Sequence, residues 1–356
     1  MSPAPPPGRA VRLHGRRDVR LHAEPAPVPR DGEVVVRITA VGLCGSDLHW
    51  YDEGAIGETD LAAPLVLGHE LAGVIEGGPR DGERVTVDPA DPCGACEECR
   101  SGRGRLCARM RFAGLAPDDG GLRTRLAWPA DRCVALPASV ADDEAPLLEV
   151  LGIAIHALDL AGIRIDDASP TSAVDATGTG LRAGVYGAGP IGLMVVRALR
   201  AAGVEQVVAT DRLAHRVGAA LASGATEALQ VPGDGPDPAA SVPVDLAFEC
   251  AGTDDALDTA VRAVLPGGRV LVVGIPAGDR STYPASAARR KEITLQLVRR
   301  MEGPDLGRAV DLVAAGRVSL GGLVSHRFGL EEAPRAFEVL ASRAGLKVVV
   351  QPGTGS

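Results

Sequence analysis

Four cysteines crowd one short stretch, PCGACEECRSGRGRLC. Cys93, Cys96 and Cys99 stand three apart, and Cys107 lies eight further on. Four thiolates so spaced on one loop can close a tetrahedral zinc site. With every position filled by protein, such an ion cross-links the loop and takes no substrate, so this zinc is expected to be structural. The chain has seven cysteines, an odd number that makes a poor disulfide framework. A second set of potential ligands is dispersed. Cys44 sits in GLCGSDLHWY, His69 and Glu70 in VLGHELAG, and Glu149 in PLLEVLG. Thiolate, imidazole and carboxylate can together hold a catalytic zinc, which needs three protein ligands and an open position. Each also has a plain structural reading. A single cysteine is commonly a small core residue, and a His-Glu pair is often a surface feature. Spacing alone leaves both readings open.

The third motif is GAGPIG, with Gly187, Gly189, Pro190, Ile191 and Gly192 directly after the apolar run RAGVY and before a helical pattern. Gly187 permits the tight turn, Gly189 lets backbone approach a pyrophosphate at the helix N-terminus, and Gly192 allows close helix–strand packing. Asp211 ends the next strand, nineteen residues beyond Gly192. An acid there accepts from a ribose 2′-hydroxyl and repels a 2′-phosphate, which favours NAD over NADP. Arg212 and Arg216 bear on that preference, because either could meet a 2′-phosphate if Asp211 turned away.

These residues need elements to position them. From Ala10 to about Val150 the chain reads as short strands and turns: VVVRITAVGL (34–43), LAGVIEG (71–77) and RVTVD (84–88), with glycine and proline between. From about Leu181 the rhythm changes to alternating strand and helix, which means βαβ units and a parallel sheet. After about Val298 come two helical patterns, DLGRAVDLVAAG and EEAPRAFEVLAS, and a terminal strand, LKVVVQ. Two stretches look like connectors: DDASPTSAVDATGTG (166–180) and VPGDGPDPAASVP (231–243). The expected class is α/β, a doubly wound parallel sheet joined to a mostly-β domain.

Composition excludes several functions. The 356 residues carry 37 basic and 46 acidic side chains, a net charge of −9, which argues against a nucleic-acid or anionic-membrane binder. Only Lys291 and Lys347 are lysines, and neither follows a glycine. No phosphate-binding Gly-Lys-Ser/Thr loop therefore exists. There is no asparagine and so no N-glycosylation acceptor. The N-terminus lacks an apolar core, and the stretch from Leu147 to Ile163 is broken by Glu149, His156 and Asp159. A cytoplasmic protein with reduced cysteines is expected. With aromatics at 3%, the core must be built from Ala, Val and Leu.

Taken together, CGSDLHWYDEGAIG (44–57), LVLGHELAG, the four-cysteine lobe, APDDGGL (116–122), LLEVLGIAIHA, GAGPIG and SHRFGLEEAPRAFE (325–338) resemble the zinc-containing medium-chain dehydrogenases, most closely their sorbitol (polyol) dehydrogenase branch. The resemblance runs from about Ala10 to about Gln351. It implies a GroES-like catalytic, zinc-binding domain of residues 1–152 and 298–356, and a Rossmann NAD-binding domain of 153–297. It implies two zinc ions per chain, one structural and one catalytic. The catalytic ion would be held by Cys44 and His69, with Glu70 ligating or just behind. Glu149 would reach the metal directly or through water, where alcohol dehydrogenases place a cysteine. Ser46 and His49 match a proton relay, and Tyr51, Phe112 and Arg299 match positions near substrate. Arg216 matches a residue near the adenosine ribose. The implied activity is hydride transfer from a secondary alcohol of a polyol or sugar derivative to NAD, in a homodimer or homotetramer. The same chemistry on L-threonine, a simple alcohol or a sugar acid such as idonate is the near alternative, and a non-catalytic zinc- and nucleotide-binding protein the distant one. Departures from the pattern are Val150 where proline is usual, the long 166–180 connector, and Arg300 after the substrate arginine, a charge that suits an acidic or phosphorylated sugar or a solvated surface.

Overall fold

The computed structural model describes residues 8–57, 59–165, 180–232 and 237–353; most of the 166–180 connector lies outside them. The chain divides into two compact units. One takes residues 1–149, 302–314 and 320–356; the other takes 150–301 and 315–319.

The first unit is built on a seven-stranded sheet. Its path runs Cys133–Ala135, Arg84–Val87, Glu70–Glu76, Glu33–Leu43, Lys347–Gln351 and Val324–Gly329, and Arg125–Pro129 also pairs with the central Glu33–Leu43. The central strand is the β-branched run of the sequence, whose branched side chains suit a pleated, half-buried surface. Its end decides the chemistry. Gly42 pairs with Glu70 on one side, and Leu43 with Val348 on the other. Glu70 and Lys347 therefore flank the same point of one strand, although 277 residues separate them. The core is mainly aliphatic. The scarce aromatics are concentrated there, with Trp50, Trp128 and Phe337 fully buried.

The second unit is a six-stranded parallel sheet in the order Glu227–Gln230, Gln206–Asp211, Arg182–Tyr186, Val244–Glu249, Val264–Val272, Thr294–Leu297. Counted along the chain this is 3-2-1-4-5-6, the doubly wound dinucleotide-binding order. Helices Pro190–Ala201, Ala214–Ala222 and Asp254–Ala263 make the crossovers. Both edge strands and the helix Ala285–Lys291 are additions to the sequence reading. Each edge strand spans four residues, EALQ and TLQL, and neither carries the β-branched run that marks a central strand.

The division also differs from the expected boundaries. Residues 298–301 and 315–319 fall in the second unit. The Val298 N–H continues the edge pairing by donating to the Val272 carbonyl at 2.9 Å. Arg317 and Arg197 tie the 315–319 segment to helix Pro190–Ala201, by bonds to the carbonyls of Ala201 (3.2 Å) and Ser319 (2.5 Å). No helix among the described residues is long and apolar enough to cross a membrane.

Candidate active site and metal centres

Cys44 ends the approach to a short helix, Gly45–Glu53, whose first turn carries Ser46 and Asp47. Asp47 is buried and acts as a clamp. Its Oδ2 accepts the Cys44 backbone N–H at 2.9 Å, and its Oδ1 accepts that of Gly68 at 3.4 Å and lies 3.6 Å from His69 Nδ1. A carboxylate on Nδ1 sets the ring so that Nε2 is presented for ligation. That Nε2 stands 3.5 Å from Ser46 Oγ. Cys44, His69 and Glu70 thus bring sulfur, nitrogen and carboxylate oxygen within 4.8 Å of one another. Burial opposes a charge on His69, but Asp47 and Cys44 outweigh it and hold the imidazole well above its ordinary range. Surroundings that attract a proton this strongly also attract a metal cation, and the mixed donor set is one zinc accepts.

Glu70 is almost wholly buried and accepts from Lys347 Nζ through both oxygens, at 2.6 and 2.7 Å. Lys347, equally buried, also donates to the Leu43 carbonyl at 3.2 Å. Burial disfavours the ammonium, yet Glu70 and Cys44 prevail and its affinity for the proton is raised. A Cβ at Gly42 would lie 2.1 Å from Glu70 Oε2, so only glycine lets the carboxylate cross the strand. Glu149, in the first turn of helix Leu147–Leu160, is buried nearby but is outside the compact three-residue set. Burial pushes its carboxyl up to about 7; the charge of His69 opposes the rise and that of Glu70 adds to it.

The other expected residues fall as follows. His49 lies on the Gly45–Glu53 helix with Nδ1 2.8 Å from Glu53 Oε1. Phe112 sets its ring 5.7 Å from that of His69, at 45°. Tyr51 has its ring buried in the core, stacked on Phe337 at 4.9 Å. The helix turns Tyr51 inward, where its ring contributes to packing. Arg299 is exposed, just after strand Thr294–Leu297.

The sulfurs of Cys93, Cys96, Cys99 and Cys107 also lie within 4.8 Å of one another. Cys96 Sγ is 3.3 Å from Cys99 Sγ and 3.7 Å from Cys107 Sγ. Tetrahedral zinc–thiolate bonds require sulfurs about 3.8 Å apart, so the loop needs little adjustment to hold the ion. The backbone N–H groups of Ala95 and Cys96 draw the Cys93 thiol down to about 6, and Arg109 donates to its sulfur at 3.3 Å. All seven cysteines are unpaired by disulfides.

In the second unit, Gly187 takes a left-handed φ of 106° and Gly189 caps helix Pro190–Ala201 with Pro190 and Ile191 in its first turn. A Cβ on Gly192 would lie 1.9 Å from the Gly187 carbonyl oxygen, whereas one on Gly189 would meet only Arg216 Nη1, at 3.5 Å. Gly192 is therefore required by packing, and Gly189 keeps the helix N-terminus open. Gly192→Ala is expected to weaken binding of ADP-ribose more than tenfold and to lower stability by about 1–3 kcal/mol, the usual effect of overpacking. Calorimetric titration and a denaturant curve check it. Gly189→Ala should leave stability within about 1 kcal/mol and weaken only the binding.

Residues 30–138 match the model of the alcohol dehydrogenase GroES-like domain, and 190–315 that of the zinc-binding dehydrogenases. Sorbitol dehydrogenase of Bos taurus is 33% identical over 99% of this chain and 98% of its own. A probable D-xylulose reductase A of Aspergillus clavatus is 31% identical over 95% of each. Among solved structures, L-idonate 5-dehydrogenase of Escherichia coli superposes with a TM-score of 0.86 at 26% identity, over 97% of this chain and 98% of that one. The chain belongs to the zinc-containing medium-chain dehydrogenases. It is sorbitol dehydrogenase-like within them, and an oxidoreductase. This dehydrogenase has three site residues that the sequence reading passed over: Asp47, Lys347 and Gly42. Asp47 stood in the quoted CGSDLH motif, and Lys347 was one of only two lysines. That rarity was the available signal, since nothing local links Lys347 to Glu70.

Proposed function

We propose that this dehydrogenase oxidises a secondary hydroxyl of a polyol or sugar derivative, with NAD as hydride acceptor. The convergence of Cys44, His69 and Glu70 carries the reading. These three would hold the catalytic zinc, with Glu149 reaching it through water, and the four-cysteine lobe a structural zinc. Gly187, Gly189, Pro190, Ile191 and Gly192 would seat the pyrophosphate, and Asp211 and Arg216 would face the adenosine ribose. When bound, zinc polarises the alcohol oxygen and the nicotinamide accepts the hydride.

The chain's own residues then handle the proton and the charge. Ser46 Oγ, beside His69, accepts the hydroxyl proton and passes it to His49. Glu53, at 2.8 Å from His49 Nδ1, takes it onward to solvent. Lys347 offsets the charge of Glu70, so the carboxylates around the site do not accumulate uncompensated negative charge. Phe112 covers one side of the His69 ring and excludes water. Arg299 would bind substrate hydroxyls. The assembly is a homodimer or homotetramer.

The same chemistry on a sugar acid is the second reading, supported by the likeness to idonate 5-dehydrogenase and by the paired arginines 299 and 300. Purified protein is expected to carry one zinc per ligand cluster, two per chain. With NAD, nicotinamide absorbance should rise with at least one of sorbitol, xylitol, ribitol or galactitol, faster than with L-threonine, ethanol or idonate. A faster rate with idonate moves the assignment to sugar acids; a single zinc and no turnover with any member of the panel reject it.

A further inference from the structure

Two arginines stand beside Asp211, and the structure separates their roles. Asp211 is fixed at the end of strand Gln206–Asp211 by two backbone donors: the Ala188 N–H to Oδ2 and the Leu213 N–H to Oδ1, each at 2.9 Å. One donor belongs to the glycine turn and the other to the approach to the next helix, so the carboxylate cannot turn away while the turn is intact. Arg216 places Nη1 3.8 Å from Asp211 Oδ2 and 3.5 Å from where a Gly189 Cβ would stand. Its charge lies on Asp211 and over the glycine turn. Arg212 is the immediate neighbour of Asp211, but its Nη2 donates to Asp255 Oδ2 at 2.7 Å. Asp255 sits in the first turn of helix Asp254–Ala263, which follows strand Val244–Glu249; in the sheet, strand Arg182–Tyr186 lies between that strand and Gln206–Asp211.

A fixed carboxylate beside one arginine is a weak barrier to a 2′-phosphate, because Arg216 offsets much of its charge. A second mobile guanidinium would tip the subsite toward the phosphate, since paired arginine forks suit phosphate oxygens. We propose that Asp255 is a specificity-determining residue that excludes 2′-phosphorylated dinucleotides. It holds Arg212 away from the ribose by engaging its guanidinium. The proposal rests on the reading that the glycine turn binds a dinucleotide.

The pair is exposed, with 57% of the Arg212 side chain and 80% of that of Asp255 accessible, so its effect is bounded by what exposed ion pairs achieve. The test is calorimetric titration with 2′,5′-ADP and with 5′-ADP at low ionic strength. The variants are Asp255→Asn, Arg212→Ala and the two combined. Asp255→Asn should tighten 2′,5′-ADP about three- to fivefold and leave 5′-ADP unchanged. Arg212→Ala in the same chain should cancel the gain. Added salt should shrink it, as exposed charge effects are screened. An unchanged ratio of the two affinities in Asp255→Asn, with 5′-ADP still binding, overturns the proposal. A gain that survives in the double variant overturns it as well, because Arg212 would then not be the phosphate's partner. Failure of the unaltered protein to bind either nucleotide overturns the dinucleotide reading instead. The variant exchanges an exposed side chain, and an unchanged melting temperature excludes misfolding.

Discussion

Cys44→Ser is expected to lower turnover by about a thousandfold and to remove one of two zinc ions. Three potential ligands converge there, and a zinc ion held by them would supply several kcal/mol of the barrier reduction as a Lewis acid on the alcohol oxygen. Serine keeps the size of cysteine but offers a hydroxyl in place of a thiolate, a far weaker zinc donor at neutral pH. The fold should survive, because the anchor of this segment is its backbone: the Cys44 N–H donates to Asp47, and that bond is untouched by the exchange. The four-cysteine lobe keeps its own ion. Zinc analysis, circular dichroism and turnover on a substrate found in the panel together decide the matter. Full activity in a Cys44→Ser protein that has lost no zinc would sink the assignment of this cluster.

Lys347→Met is expected to destabilise the protein by about 3–5 kcal/mol, the range for removing one partner of a buried ion pair. Lys347 and Glu70 each expose 1% of their side chains, and both Glu70 oxygens accept from the same ammonium. Methionine fills most of the volume but leaves the buried carboxylate without its ammonium partner. The expected stability loss, read from denaturant midpoints, should be recovered in large part by the double variant Lys347→Met/Glu70→Gln. That protein buries no unpaired charge. Its zinc content at the catalytic cluster should fall, which separates the two roles of Glu70. A loss below about 1 kcal/mol in Lys347→Met would show that the pair is not buried in solution.

The four-cysteine lobe and the glycine turn were legible because their motifs are local. The four cysteines lie within fifteen residues, and GAGPIG needs only the strand before it and the helix after it. Such patterns are written by turn geometry and ligand spacing, which act over short stretches of chain. The parallel sheet was foreshadowed by alternating strand and helix, although the four-residue edge strands were too brief to stand out. Tyr51 shows the limit. It lies within the CGSDLHWYDEGAIG motif, yet the turn of one short helix carries its ring into the core against Phe337.

The sequence by itself determined the four-thiolate cluster and the nucleotide turn, since donor type, spacing and glycine placement are properties of the chain. Only the tertiary structure brings Glu70 into one compact set with Cys44 and His69, and sets Lys347 against it. The strand from Glu33 to Leu43 pairs with Glu70 on one side and with the C-terminal strand on the other. Strand register across 277 residues of separation therefore sets Lys347 against Glu70, with Gly42 leaving room for the carboxylate to cross. Contacts of that kind depend on which strands become neighbours, and no local pattern encodes that.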